Sequence, residues 1–244
     1  MLKLDSVDSL LQDSWKTFKK GFWSLILVKL AQIGIYLAIA VLFLALTLPG
    51  TLSELKELRT YYNLDTASVI DAIAGSAAIL IPVLLLFLAF LLISFWGSAA
   101  QMVAVRDLDK KMKVRDIYKL SGKNLSGFAW IHILVSLITL IGLMLFIIPG
   151  IIFMVWLSFS AYVFIWDGIS GVNALKKSQA LVAGYFWAVL GRVLLLMIIS
   201  MAINFLISLA APILYLPLVA FSEIFVIIYY VNIFNNLKKI KNNI

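Results

Sequence analysis

The sequence predicts an all-α, polytopic integral membrane protein, with six transmembrane helices and three cytoplasmic interfacial amphipathic helices in a single domain over residues 1–244. The first observation is composition: 64% of the 244 residues are hydrophobic and only 13% are charged, whereas soluble domains carry about 25% charged residues. The second is that residues 72–105, 124–166 and 193–222 contain no Asp, Glu, Lys or Arg. A membrane-spanning helix needs about 20 apolar residues, so these runs supply several spans.

The helix order follows from where these apolar runs are interrupted. Pro49-Gly50 is expected to end the first span, and Pro82 to kink the second. The run 124–166 is about twice the length of one span, so Pro149-Gly150 near its middle predicts a tight hairpin. The six predicted spans are 22–48, 74–103, 128–148, 151–166, 186–209 and 214–234.

Three segments carry the same mark, a serine followed nine positions later by a tryptophan and then by an apolar run. The three pairs are Ser14 with Trp23, Ser121 with Trp130, and Ser178 with Trp187. Each segment mixes polar and apolar residues as an interfacial helix does, which predicts such helices at 5–20, 113–123 and 172–185. One interpretation is a parallel threefold internal repeat of a surface helix and two spans; the other is chance, because tryptophan favours membrane interfaces anyway.

Lysine and arginine choose the orientation. Seven of them lie in residues 106–123, and only two in the loop 50–71. Cytoplasmic loops carry the excess of positive charge, so six spans place both termini in the cytoplasm. Lys29 and Arg192 lie just inside predicted spans, where we expect their side chains to snorkel to the cytoplasmic headgroups.

Several classes of chemistry are disfavoured. The chain has no cysteine, so disulfides, thiol catalysis and cysteine-ligated metals are excluded. The net charge of +8 comes without an aromatic-basic nucleic-acid motif. The single histidine, His132, cannot make an all-protein zinc site, and Asp107, Asp109 and Asp116 are expected to pair with neighbouring basic residues. No phosphate-binding loop or hydrolase motif occurs, so we expect no enzyme activity, metal or cofactor.

A family resemblance rests on residues 143–187, which read LMLFIIPGIIFMVWLSFSAYVFIWDGISGVNALKKSQALVAGYFW. The Ile-Pro-Gly-Ile hairpin, the acidic-Gly pair and Ala-Leu-Lys-Lys-Ser resemble the six-span membrane domain attached to some glycerophosphoryl diester phosphodiesterases, and its stand-alone prokaryotic relatives. The motif positions are Pro149, Gly150, Asp167, Gly168 and Ser178, although that family often has Glu where Asp167 stands. The resemblance implies a multi-pass protein of the prokaryotic plasma (inner) membrane with roles in envelope homeostasis or export, because catalysis belongs to the attached domain.

Glu223 is the strongest single candidate for a polar site within the membrane. It lies 11 residues before Phe234 in the sixth predicted span, and a carboxylate at such depth is costly. Asn204 and Ser200 lie at i and i−4 on the fifth span, so a hydrogen-bonded cluster of the three is expected. Such a cluster is either a proton or cation site of a transporter or permease, or a structural link between helices.

Basic residues on the cytoplasmic side form a second candidate, for anionic lipid, since each contributes about 1 kcal/mol of attraction to such a surface. Topology alone is the alternative explanation of their placement. The candidates are Lys16, Lys19, Lys20, Lys110, Lys111, Lys113, Arg115, Lys119, Lys123, Lys176 and Lys177. The first functional hypothesis is therefore a non-enzymatic protein that organises or senses the bilayer or assists a partner; the alternative is a transporter around Glu223. The bilayer itself is the expected partner, and nucleic acid is not.

Overall fold

The computed structural model describes the backbone of residues 4–58, 66–210 and 215–242, and the side chains of 4–45, 47, 81–206, 208–209, 219 and 221–242. This part of the chain is helical and contains no strand. Its α-helices are α1 Val7–Leu58, α2 Thr66–Arg106, α3 Val114–Gly122, α4 Leu125–Leu145, α5 Ile147–Leu157, α6 Ser160–Asp167, α7 Gly171–Val182, α8 Phe186–Ala210 and α9 Tyr215–Asn242. A 3₁₀ turn, Leu108–Lys110, lies between α2 and α3.

Five helical segments in the described ranges are long and apolar enough to cross a membrane. They are Val7–Ala45, Ile81–Arg106, Leu125–Leu145, Ile147–Asp167 and Phe186–Leu206. These segments make the chain compatible with a multi-pass membrane protein. The sixth predicted span, 214–234, falls largely within α9, but residue 214 and the side chains of 215–218 lie outside the described residues.

Helix α1 differs from the prediction at both ends. The predicted surface helix 5–20 and the first span are one continuous helix, and that helix runs past Pro49-Gly50 to Leu58. A proline inside a helix removes one hydrogen bond and bends the helix without necessarily ending it. Helix α1 therefore does not stop at Pro49-Gly50, and the point along it at which the first span ends stays a prediction.

The predicted hairpin forms, with its turn displaced from Pro149-Gly150. The connection is a single extended residue, Phe146, with φ −161° and ψ 152°. Pro149 is the third residue of α5, where a helix needs no backbone N–H. Gly142 and Gly150 face each other, because a Cβ on Gly142 would lie 3.0 Å from the Gly150 Cα. The glycines therefore allow α4 and α5 to pack with their backbones close together.

The fourth predicted span is broken into two helices. Helix α5 ends at Leu157 and α6 begins at Ser160, and no proline or glycine lies between them. Helix α6 ends as predicted at Asp167, where Gly168 adopts the left-handed conformation (φ 69°) that terminates many helices.

The amphipathic helices α3 and α7 bury their apolar faces in the protein itself. Helix α7 packs against α4, α5, α6 and α9, with Leu175, Leu181 and Val182 buried. Helix α3 buries Ile117 and Tyr118. These positions match two of the predicted surface helices, 172–185 and 113–123. Their apolar sides contact the bundle, so only their polar sides remain to meet water or headgroups.

The chain divides into two compact units. The first comprises Met1–Lys29 and Trp96–Ile244, and the second Leu30–Phe95. In the first unit, aromatic rings join α6 to α9: Tyr162 stacks on Tyr230 with ring centroids 6.0 Å apart, and Phe234 packs between Tyr162 and Trp166.

The second unit contains a small polar cluster. The Tyr36 ring stacks on Phe90 with centroids 4.9 Å apart, and the Tyr36 hydroxyl lies 2.7 Å from the Ser94 Oγ. The buried amide of Gln32 donates to the same hydroxyl over 3.1 Å. Hydrogen bonds of this kind stabilise contacts between helices in lipid, which gives Gln32 a bridging role between α1 and α2.

Candidate functional site

The carboxylate of Glu223 on α9 forms an ion pair with the Lys29 ammonium of α1. The Lys29 side chain is largely buried, at 15% exposure, and the Glu223 side chain is 54% exposed. Aromatic rings lie close by along the same two helices, with Phe22 and Phe221 centroids 6.0 Å apart. Lys29, expected to snorkel, therefore has a protein partner of opposite charge. Each charge offsets part of the other's cost of leaving water.

The expected cluster of Glu223, Asn204 and Ser200 is not what the structure brings together. The Asn204 amide nitrogen donates to the Ser200 backbone carbonyl over 2.7 Å, within α8. The Asn204 side-chain oxygen is buried and has no hydrogen-bond partner in the described part of the protein. The carboxylate pairs with Lys29 instead because a charged donor satisfies a carboxylate better than a neutral amide does.

Arg192 also makes protein contacts in place of snorkelling alone. Its Nη2 donates to the backbone carbonyls of Leu4 and Asp5 over 3.2 and 2.5 Å, and its Nη1 donates to the Ala188 carbonyl over 2.8 Å. The Asp5 carboxylate in turn accepts from the Asn236 amide. This Arg192 contact fixes the N-terminal residues against α8 and α9.

Ser178 closes the break between α5 and α6. Its hydroxyl donates to the Trp156 carbonyl over 2.6 Å and accepts from the Phe159 N–H over 3.1 Å. The Ser178 side chain is fully buried. A broken helix leaves backbone groups without partners, and in a membrane those groups must be satisfied internally. Ser178, singled out by the repeated mark and by the family motif, is thus a structural bridge from α7.

Asp167, the other polar residue of the family motif, forms ion pairs with two lysines. Its oxygens lie 2.9 Å from the Lys177 Nζ and 2.6 Å from the Lys238 Nζ. These two ion pairs join the end of α6 to α7 and α9. Because each oxygen of this carboxylate faces an ammonium group, a structural role fits Asp167 best.

The basic residues divide into two groups. Some are already engaged: Lys16 pairs with Asp13, Lys20 with Asp109, Lys110 with Asp107, and Lys177 with Asp167, while Lys19 lies over the Trp15 ring. The remaining candidates are exposed and have no ion pair among the described side chains; these are Lys111, Lys113, Arg115, Lys119, Lys123 and Lys176.

Asp107 pairs with its neighbours Arg106 and Lys110, as the sequence predicts, whereas Asp109 pairs with the distant Lys20 and Asp116 has no ion pair among the described side chains. Burial alone raises the pKa of Asp107, but hydrogen bonds and the positive charges of Arg106 and Lys110 outweigh it and hold the pKa below its ordinary value. Asp107 therefore stays ionised at neutral pH as a structural anion. Over the described ranges, no three His, Asp or Glu side chains are placed to hold a metal ion.

The residues that sequence reasoning missed are partners across long separations. The sequence does contain a clue to the ion pair. Lys29 is the one lysine inside the first predicted span, and opposite charges within a membrane tend to pair. The Tyr118 hydroxyl donates to the Val28 carbonyl over 2.9 Å, and nothing in the local sequence points to that bond.

Comparison with known proteins found no relative of this chain. No family model, no curated protein and no solved structure matches it.

Proposed function

We propose that this chain is a non-enzymatic integral membrane protein whose cytoplasmic side binds anionic lipid headgroups and so organises the bilayer or envelope around it. The proposal includes six membrane helices, both termini in the cytoplasm, and the prokaryotic plasma membrane as the location. The last point depends on the resemblance to the six-span phosphodiesterase-associated domain, which also stays a proposal.

The observation that carries this function is an excess of unpaired positive charge on one segment. In residues 106–123, two of the three carboxylates, Asp107 and Asp109, are held in ion pairs. Only Asp116 remains to balance the exposed basic residues. Five such residues have no ion-pair partner among the described side chains: Lys111, Lys113, Arg115, Lys119 and Lys123. We call these five the basic face.

The basic face is held in place beside a membrane helix. Helix α3 is fixed by the Tyr118 hydroxyl bond to Val28 and by the Trp96 indole N–H, which donates to the Tyr118 carbonyl over 3.0 Å. Helix α4 begins at Leu125, two residues after Lys123. Positive side chains fixed this close to a membrane helix meet the headgroup region. At about 1 kcal/mol each, they favour anionic over neutral lipid.

Lipid titration tests the proposal. Phosphatidylglycerol is titrated into the purified protein in neutral detergent, and bound lipid is counted by native mass spectrometry. Removing two charges with Arg115→Gln/Lys119→Gln should weaken binding by about 30-fold, from about 2 kcal/mol. The matched control is Lys239→Gln/Lys241→Gln, which removes two positive charges from the last turn of α9, outside the candidate lipid contacts. Equal weakening in both variants, or equal binding of phosphatidylcholine and phosphatidylglycerol, contradicts the proposal.

We also propose that the three marked segments are a parallel repeat. Their serines are buried, as are the apolar residues four positions earlier, and their tryptophans are exposed. The buried residues are Ser14, Ser121, Ser178, Leu10, Ile117 and Ala174, and the exposed ones are Trp23, Trp130 and Trp187. The same alternation in three places supports common units, although the first unit lacks the helix break that follows α3 and α7.

A transporter or permease is the second candidate, and two observations favour it. Broken helices surround the substrate sites of many transporters, and α5 and α6 together form a broken helix. The Lys29–Glu223 pair is a charged site on candidate membrane helices.

Proton uptake into proteoliposomes, followed with a pH-sensitive dye under an imposed potential, tests transport. The assay compares the unmodified protein with two variants, Glu223→Gln and Lys29→Met/Glu223→Gln. The single variant leaves Lys29 without its charged partner, whereas the double variant removes both charges, so comparing the two separates an effect on stability from an effect on transport. Restored stability without uptake supports a transport role, whereas equal uptake by the unmodified protein and both variants excludes this site from transport.

A further inference from the structure

We infer that α4 and α5 form a hairpin that enters the bilayer from the cytoplasmic side and turns back within the hydrocarbon, so that Phe146 does not reach the outer water. The inference is independent of lipid binding at the basic face. It changes the third and fourth predicted spans into an entering and a returning arm, and leaves both termini on one side.

The hairpin tip has nothing polar to place in water. Residues 140–157 contain no charged residue and no side-chain hydrogen-bonding group except the Trp156 indole. The residues at the turn are the most exposed of the hairpin: Met144, Phe146, Ile147 and Ile148 are 80, 75, 71 and 72% exposed. Apolar side chains at the turn would be exposed unfavourably in water, whereas lipid chains are an apolar environment that accommodates them.

A polar layer marks where the hairpin leaves the hydrocarbon. On the returning arm, the helix break holds Ser158 and Ser160, and Ser178 reaches it from the polar helix α7. Gly127 on α4 lies opposite Phe164, so the break lies beside the segment near His132, just past Trp130. Tryptophan prefers the interface, and Trp130 is 53% exposed.

The arms are short when measured from this layer. Trp130 to Leu145 is 15 residues, about 22 Å at 1.5 Å per residue, and the hydrocarbon core is about 30 Å thick. Helix α8 provides the comparison, because Trp187 to Ala210 is 23 residues, about 35 Å by the same rise. The hairpin can cross only if the membrane boundary lies at Leu125 and Asp167, outside the polar layer.

Two hydrogen bonds and one proline reduce the number of unpaired backbone groups at the turn. The Phe146 N–H donates to the Gly142 carbonyl over 3.0 Å, and the Gly150 N–H donates to the Phe146 carbonyl over 3.4 Å. Pro149 has no N–H to satisfy. A one-residue connection therefore reduces the cost of irregular backbone in lipid, which is the main objection to a turn at this depth.

The test uses the absence of native cysteine. A nitroxide is attached at Phe146→Cys in nanodiscs, and its exposure to oxygen, which concentrates in hydrocarbon, is compared with its exposure to a water-soluble nickel chelate. Lys123→Cys is the reference for the aqueous surface. We expect the Phe146 label to lose nickel exposure relative to the Lys123 label and to gain oxygen exposure.

Two results would overturn the inference. High nickel exposure at Phe146 would mean that the turn emerges into water or that the bilayer thins around it. Low exposure to both reagents would mean that protein covers the tip, as in a dimer of this chain. Labelling of Asn63→Cys by an impermeant maleimide in right-side-out vesicles checks orientation separately, so a wrong topology and a wrong depth give different results.

Discussion

The α5–α6 break allows a quantitative prediction, because the Ser178 hydroxyl bonds two backbone groups at the break. Ser178→Ala removes the acceptor of the Phe159 N–H and the donor to the Trp156 carbonyl, both in a fully buried position. An unsatisfied buried polar group costs about 1–3 kcal/mol, and two such groups are left, so the free energy of unfolding should fall by about 2–6 kcal/mol. Ser178→Cys keeps a weaker donor and acceptor at the same position, and its effect on the free energy of unfolding should lie in between.

Ser158→Ala is the matched control for this prediction. The Ser158 hydroxyl donates only to the Val155 carbonyl one turn earlier, over 2.8 Å, and its loss should cost less than about 1 kcal/mol. Unfolding in mixed detergent with sodium dodecyl sulfate measures the stabilities, and hydrogen exchange of the peptide containing Phe159 measures local opening. If Ser178→Ala and Ser158→Ala unfold alike and Phe159 keeps its protection, the bridge does not hold the break together.

Two further predictions concern the hairpin and the 106–123 loop. Gly150→Ala should destabilise the protein by about 1–3 kcal/mol, since the new Cβ would lie 2.8 Å from a backbone nitrogen of α4. The control is Gly191→Ala, which has open space around it and should be neutral or stabilising by up to about 1 kcal/mol. Equal effects of the two variants in unfolding assays would refute the close packing of α4 and α5. The folded-state pKa of Asp107 is lowered, so ionised Asp107 stabilises the folded protein. This stabilisation is complete above the ordinary pKa of about 3.9 and is lost as the pH falls through the lower folded-state pKa. Asp107→Asn should therefore remove this contribution to the pH dependence of the free energy of unfolding.

The helix boundaries that could be predicted are those with a local chemical cause. Gly168 ends α6 because glycine readily adopts the left-handed conformation. Helix α8 begins at Phe186, as predicted, after Gly184 with φ 86°. The division of the 43-residue apolar run into a hairpin followed from its length and from Pro149-Gly150 near its middle. Its exact turn did not, because a proline fits the first turn of the next helix as well as it fits a loop.

The features that could not be predicted depend on contacts between distant residues. The break after Leu157 carries no proline or glycine, and Ser178 satisfies it from another helix. The ion pair joins Lys29 and Glu223, which are 194 positions apart. Depth along one helix gives the height of a side chain but not its direction. Spacing along α9 therefore did not indicate that Lys29 would be the partner of Glu223.

The ion pairs also provide a test between two explanations of the basic segments, orientation and lipid binding, that the sequence alone could not separate. Orientation depends on how many positive residues a segment carries during insertion, before the fold forms, so paired and unpaired lysines count equally. Lipid binding depends on charges that remain free after folding. Lys20 and Lys110 are paired in the structure, whereas Lys113 and Lys119 are not. Neutralising either pair should therefore affect orientation alike, and only loss of Lys113 and Lys119 should reduce the preference for anionic lipid.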